Sequence, residues 1–294
     1  ASMPRTPPAR PQRTLRTAAD VHGRGYWSGR DNRVELHPAA VGSGIMFVRG
    51  DLAPPASVPA VVGAVVEARN RTQIVRGPAS VHLIEHVMSA LAGLGVDNCT
   101  VVVSAEELPG MDGSSRDFVA AIDRAGIVEQ DAAVDPITVS ETVRVGDAVS
   151  WIEAGPPRCP GLSIEYLLDY GPGPIGRQRL DIDITPAAYR SELSSARTFI
   201  STDDAARLRA AGLGATVSPG DLVVFSAEGP IGTELRWPDE CVRHKVLDAV
   251  GDLALAGRPL HAHVRAFRSG HALNAGLVRE LVARDATRWL GRTA

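Results

Sequence analysis

The chain has 294 residues, 44% of them apolar and 22% charged, the profile of a soluble globular protein long enough for one large domain or two ordinary ones. A net charge of −3 and an aromatic content of 4% give no reason to expect nucleic acid or an anionic membrane surface as a partner. Three cysteines, Cys99, Cys159 and Cys241, lie far apart without C-x-x-C spacing, which suits a reducing compartment and argues against a thiolate zinc site. Neither a charged-then-apolar leader nor a run of about eighteen apolar residues is found, so no membrane span is expected and the expected address is the cytoplasm.

Residues 1–12 are rich in proline and arginine without periodicity and read as a disordered arm. Short strands are expected at 13–19 and 33–37, on either side of the loop Gly23-Arg24-Gly25-Tyr26-Trp27-Ser28-Gly29, with further strand-like runs at 46–49, 60–67 and 72–75. Ser80 can cap a helix over 81–92 that stops at Gly93. Residues 99–104 read as a buried strand of β-branched residues, and 117–125 as a second helix ending at Gly126. Residues 128–136 lack an apolar period and mark a boundary between an N-terminal half, 13–130, and a C-terminal half, 131–294. Past it, strands at 137–145, 150–154, 162–169 and 178–184 precede helices at about 202–211 and 239–256, a strand at 261–268 and a final helix at 272–283. Strands followed by packed helices, twice over, predict an α+β protein of two similar halves, although no short sequence repeat marks the duplication.

The helix expected at 239–256 carries His244, Asp248 and Asp252 four residues apart on one face, with Val246, Leu247, Val250 and Leu253 mostly on the other. A His and an Asp at i, i+4 can reach one divalent ion but need a third ligand. The first helix offers it in His82-Leu83-Ile84-Glu85-His86: His86 can complete a set of two imidazoles and one carboxylate, leaving the fourth tetrahedral position of zinc for water. Glu85 then stands beside that water and can take its proton. The plainer reading is a polar helix face with solvated charges. A rival reading takes H-x-x-E-H as an inverted zinc-protease motif, with His82 and His86 as ligands, and leaves the His244/Asp248 pair unexplained.

Arg268-Ser269-Gly270-His271 brings a further histidine to the start of the last helix, where Gly270 can aim it into a cleft and Asp252 can hold it as imidazolium. A charged histidine there can stabilise an oxyanion and protonate a leaving amine. Gly171-Pro172-Gly173-Pro174-Ile175-Gly176 matches G-x-G-x-x-G but joins two strands, and its prolines forbid the helix start a dinucleotide site needs. No G-x-S-x-G and no G-x-x-x-x-G-K-[ST] occurs, which sets aside serine hydrolases and P-loop enzymes. Lys245 is the only lysine in the chain, which fits recruitment of an anionic substrate as well as an ordinary exposed charge.

Together these segments resemble the UDP-3-O-acyl-N-acetylglucosamine deacetylases, the LpxC family of zinc enzymes of lipid A synthesis. The matching stretches, in the family's order, are 85–98 (Glu85-His86-Val87-Met88 through Asp97-Asn98), Met111-Asp112-Gly113-Ser114, Ser195-Ala196-Arg197-Thr198-Phe199, 242–253 and Ser269-Gly270-His271-Ala272-Leu273-Asn274. The resemblance implies two α+β halves, each layering helices against a sheet, with the active site between them and an insert in each half. The second insert, near 198–224, lines an apolar passage for an acyl chain. It further implies that His86, His244 and Asp248 hold Zn2+ (Fe2+ fits the same ligands) and that Glu85 is the general base. His271 backed by Asp252 becomes the general acid or oxyanion partner, and Thr198 bonds the tetrahedral intermediate. Lys245, Phe199 and Tyr170 contact substrate, Tyr170 by stacking on uracil.

The implied reaction is hydrolysis of the acetamide of a UDP-linked, 3-O-acylated glucosamine by a cytoplasmic monomer. Three departures concern nucleotide recognition. Trp27 stands where the family's loop presents a histidine, Ser150 where it often has a lysine, and 214–223 replaces a Gly-Gly-Ser-x-Asp-Asn-Ala segment. A deacetylase of another N-acyl sugar, and a non-catalytic sugar- or lipid-binding homologue, stay open at this point.

Overall fold

The computed structural model describes residues 10–292 apart from 216 and 219. Two sheets of the same design organise it. In the first half, strands Ala19–Arg24, Asp31–Pro38, Cys99–Val103, Ile45–Arg49 and Ala56–Pro59 lie side by side in that order. In the second, Val143–Gly146, Trp151–Gly155, Leu260–Phe267, Leu162–Asp169 and Arg177–Asp183 do the same. In both, the last strand in sequence is third in space. In both, it pairs parallel with one neighbour, Ile45–Arg49 or Leu162–Asp169, while the other pairs in the set of five are antiparallel. A short strand, Ile137–Thr138, adds to the second sheet beside Leu260. The duplication thus lies in topology, which alternation and connection order can preserve while side-chain identities diverge.

Helices flank each last strand in the same way. α1 (Glu85–Gly93) precedes Cys99–Val103 and α2 (Arg116–Ala125) follows it. In the second half, a short α3 (Pro186–Ala188) and α4 (Thr202–Ala210) come first; then α5 (Glu240–Leu253) precedes Leu260–Phe267 and α6 (His271–Arg292) follows it. Alternating burial sends Val34, Leu36, Phe47, Val101 and Val103 inward from the first sheet and Ile152, Ile164, Val264 and Ala266 from the second. α2 covers the first sheet, α5 and α6 cover the second, and α1 packs across α5 at the centre. Nearly all of α1 is buried, as its apolar run Val87-Met88-Ser89-Ala90-Leu91 requires.

The crossing of α1 and α5 is a backbone contact. A Cβ on Gly251 would lie 2.1 Å from the carbonyl oxygen of Glu85, so no other residue lets the two main chains come this close. Beside it, the buried Ser89 hydroxyl donates to the Leu247 carbonyl at 2.7 Å and accepts from the Tyr189 hydroxyl at 2.8 Å.

Several expectations change. The helix expected from 81 starts at Glu85, because Ala79–His82 is a strand whose Ala79 and Val81 point inward at period two. Ser80, expected as a cap, bonds Gln73 and His82 instead. Residues 1–9 of the expected arm lie outside the described residues, while Pro11–Leu15 is a strand pairing antiparallel with Ile127–Ala133. The stretch read as a boundary therefore starts inside a ribbon, and its missing apolar period reflects exposure of every second residue from Glu129 to Ala133. Residues 60–67 divide into the 3-10 turn Val62–Ala64 and the short strand Val65–Val66, which with Gln73–Arg76 and Ala79–His82 forms a three-stranded insert. The second insert is a parallel strand pair, Phe199–Ser201 and Val223–Phe225, joined through α4.

Gly251→Ala should therefore force α1 from α5 and lower the unfolding free energy by roughly 1–3 kcal/mol. Gly63→Ala, where a Cβ meets nothing within 4 Å, should be nearly neutral. Urea denaturation of both variants measures the contrast.

Candidate active site

The α1/α5 crossing brings His86 to His244 and Asp248. One ligand atom from each lies within 4.8 Å of the others, and all three residues are buried. His244 Nε2 is 3.2 Å and His86 Nε2 3.8 Å from Asp248 Oδ1. His244 Nδ1 faces the Ala196 carbonyl at 3.0 Å, which places the proton on Nδ1 and leaves Nε2 as a lone pair. Asp248 Oδ2 accepts from Lys245 Nζ at 2.8 Å, yet Asp248 Oδ1 and His86 Nδ1, both buried, have no hydrogen-bond partner among the described residues. A buried carboxylate oxygen facing two imidazoles with nothing to donate to it fits a divalent cation held by two nitrogens and one oxygen.

Electrostatics prepare these groups. Burial, then the neighbouring His244, pushes the His86 imidazole down to about 3, so it stays neutral as a ligand must. Burial opposes ionisation of Asp248, but the neighbouring His244 ring and the Lys245 ammonium outweigh it and hold the carboxyl well below its ordinary value. Glu85, 2% exposed, is pushed up to about 7 by burial, although the facing His271 pulls the other way. Burial works against a charged His271, and the Asp252 carboxylate at 2.8 Å from Nδ1 overrides it and raises the imidazole to about 9. A carboxylate poised near neutrality faces an imidazolium, the separation of values that distinguishes a proton acceptor from a proton donor.

Each group is placed by local structure. Leu83 adopts φ +60, a conformation costing an ordinary residue about 1–2 kcal/mol, and this bend turns the strand Ala79–His82 into α1 with Glu85 at its first position. His271 opens α6 after a bend whose left-handed residue is Arg268, at φ +52, rather than Gly270. The buried Tyr166 hydroxyl donates to the Ser269 carbonyl and steadies that bend.

Thr198 is fixed from both halves. Its N–H donates to the Gly113 carbonyl at 2.7 Å, and Gly113, at φ +85, is strained for any side chain, which would also press on Thr198 at about 3.0 Å. The preceding Arg197 forms a buried ion pair with Glu240 at 2.8 Å, so α5 supports this segment as well as supplying ligands. The Thr198 hydroxyl has no hydrogen-bond partner among the described residues.

A cavity of about 650 Å3 opens onto this cluster. Glu85, His86, His244, Lys245, Asp248 and His271 line it, with Thr198, Phe199 and Tyr170 along the wall; Asp252, outside the lining, is bonded to His271 Nδ1. Tyr170 is 55% exposed, its ring edge-on to Phe199 at 5.6 Å. His82 stands apart, paired with Glu106 at 3.0 Å and absent from the ligand cluster. Trp27 and Ser150 line the same cavity, as do Gly214, Val217, Ser218 and Leu222 of the 214–223 segment; residues 216 and 219 lie outside the described residues. All three departures therefore line this cavity.

The family described as LpxC, UDP-3-O-acyl N-acetylglycosamine deacetylase, matches residues 12–283 of the chain. The chain belongs to the LpxC family. A relative, the UDP-3-O-acyl-N-acetylglucosamine deacetylase of Myxococcus xanthus (strain DK1622), is 39% identical over 273 residues, which cover 92% of this chain and 86% of that protein. Membership bears out the resemblance carried by the five ordered motifs, and with it the α+β architecture. No helix among the described residues is long and apolar enough to cross a membrane.

Two groups in this LpxC site are not singled out by the sequence reading. Thr72, whose N–H donates to Glu85 and whose hydroxyl reaches Asp252, stands in no motif beside its partners. Asn274, within the quoted Ser269–Asn274 stretch, donates to Asp252 at 2.8 Å; its spacing of three from His271 on a helix was the available clue.

His86→Ala and His244→Ala should each lose the bound metal, whereas His82→Ala should retain it. Metal analysis of the purified variants decides between this ligand set and the H-x-x-E-H alternative.

Proposed function

We propose that this LpxC-family chain hydrolyses the acetamide of UDP-3-O-acyl-N-acetylglucosamine to acetate and the free amine, with zinc held by His86, His244 and Asp248. The observation that carries the reading is the convergence on one cavity of a partnerless carboxylate oxygen between two imidazoles, a near-neutral Glu85 and a cationic His271. The membership of the family and the name of the Myxococcus relative support the substrate class. Iron(II) suits the same donor set.

An amide carbonyl is a weak electrophile, and a divalent ion on these ligands supplies the Lewis acidity that polarises its oxygen and makes water a nucleophile near neutral pH. Glu85 takes the proton of the attacking water. Its oxygen Oε2, held by the Thr72 N–H at 3.0 Å, keeps the carboxylate aimed. The Thr198 hydroxyl donates to the oxygen that gains charge as the carbonyl carbon becomes tetrahedral. His271 gives its proton to the departing nitrogen, and Asp252 holds the ring while the charge is lost. Lys245, tethered to Asp248, presents its charge to the polar part of the substrate.

Tyr170 and Phe199 offer aromatic faces for uracil. The insert of the second half, with Leu208, Leu213, Val217 and Val224 on the cavity, offers an apolar passage for the acyl chain. We assign residues 13–130 and 131–294 to the two halves that meet at the site. We place the reaction in the cytoplasm, consistent with three free cysteines, and assign it to a monomer, since one chain supplies every group named. Trp27, Ser150 and the 214–223 segment on the cavity wall favour one second reading, the same chemistry on another N-acyl sugar. Assaying the UDP-sugar with and without its acyl chain separates the two.

Glu85→Ala should keep its metal yet lose turnover by about 100-fold or more, measured as amine release. Because His271 must be protonated and Asp252 raises its value, activity should fall on the alkaline side as the imidazolium is lost, above the ordinary histidine range. Asp252→Asn should move that limb to lower pH in the pH–rate profile.

A further inference from the structure

We infer that Thr72 is a positioning residue that holds the proton acceptor and the proton donor in one frame, an inference that rests on the amide-hydrolysis reading above. Thr72 is 4% exposed and directly precedes the strand Gln73–Arg76 of the first-half insert. Three of its groups act at once. Its main-chain N–H donates to Glu85 Oε2 at 3.0 Å, and its carbonyl accepts from the Ile84 N–H at 3.4 Å, at the start of α1. Its hydroxyl lies 2.5 Å from Asp252 Oδ1 and 3.1 Å from His271 Nδ1.

Proton counting settles the direction of these contacts. A carboxylate oxygen accepts, so the single hydroxyl proton of Thr72 goes to Asp252 Oδ1. Oδ2 accepts from His271 Nδ1 and from Asn274 Nδ2, each at 2.8 Å. The hydroxyl oxygen then turns a lone pair to the Nδ1–H of His271, which is shared between carboxylate and hydroxyl. With Nδ1–H fixed by two acceptors, the proton available for transfer is the one on Nε2. Imidazole orientation, proton site and the Glu85 carboxylate are thereby tied to one residue of the first half, although Asp252 and His271 belong to the second. A side chain of the same shape without a hydroxyl removes the ties to Asp252 and His271 and keeps the main-chain bond to Glu85.

Thr72→Val and Thr72→Ser test the inference. Thr72→Val should lower kcat on the order of ten- to a hundredfold, with KM and metal content within about twofold of the parent, and Thr72→Ser should recover most of the loss. In the metal-free protein, the low-field NMR resonance of the His271 Nδ1–H should shift in Thr72→Val and stay in Thr72→Ser. An unchanged resonance or parental kcat in Thr72→Val overturns the inference. So does a folded Thr72→Ser as impaired as Thr72→Val, or a loss in Thr72→Val that appears as KM alone. Absence of amine release by the parent protein would sink the amide-hydrolysis reading instead, and the resonance would still report whether Thr72 holds the ring.

Discussion

The site depends on how closely two helices from different halves approach. Gly251 of α5 rests against the Glu85 carbonyl, and the next residue along α1 is His86. The contact that brings the main chains together therefore also sets the reach from His86 to His244 and Asp248. Ser89 pins the same register through the Leu247 carbonyl, one residue from Asp248. A buried hydrogen bond of this kind resists sliding, because moving the helices would strand both a donor and an acceptor away from water. Van der Waals contact fixes the distance between the helices, and hydrogen bonding fixes the phase.

Around that crossing the protein buries an unusual load of ionisable groups, and almost every charge is compensated. Asp252, 1% exposed, accepts from Thr72, His271 and Asn274. Glu240, equally buried, is bound by Arg197. Compensation of this kind is what makes burial tolerable, since an isolated ion in a low-dielectric interior is far costlier than a paired one. The exception is Asp248 Oδ1, which has no hydrogen-bond partner among the described residues and faces His244 Nε2 at 3.2 Å and His86 Nε2 at 3.8 Å, where a cation fits. Glu85 is a partial exception: among the described residues it accepts from the Thr72 N–H alone, and burial raises its value.

The loop Gly23–Gly29 shows how far the first half reaches into the second. Glu107, 4% exposed, accepts from the main-chain N–H groups of Trp27 and Ser28, each at 2.8 Å, and so shapes the loop. The Tyr26 hydroxyl lies 2.9 Å from the Gly110 carbonyl and 2.6 Å from that of Asp221, in the second-half insert. Trp27 is thereby carried onto the cavity wall, its ring beneath Arg71 and its indole nitrogen buried without a partner among the described residues. The residue that departs from the family's histidine is held there by a clasp between the halves.

Local chemistry made much of this legible in advance. Four-residue spacing on a helix put His244, Asp248 and Asp252 on one face, and adjacency put Glu85 beside His86, because helical geometry is a short-range property. The strands Leu162–Asp169 and Cys99–Val103 showed themselves through β-branched and alternating residues. Ordered motifs established the family without any knowledge of contacts. What failed were places where a long-range partner overrides a local preference. Ser80 has the chemistry of a helix cap but spends it across a hairpin, and Ile127–Ala133 has the composition of a linker but is held by Pro11–Leu15.

The sequence by itself determined which side chains could serve as ligands, base and acid, and the family that uses them, since residue type and short spacing suffice for that. Only the tertiary structure decided that the two halves share one sheet topology, that Leu83 and Arg268 make the bends, and that Thr72 joins Glu85 to Asp252. Those facts depend on backbone conformation and on contacts between residues remote in the chain, which arise when two helices pack and have no signature in either segment alone.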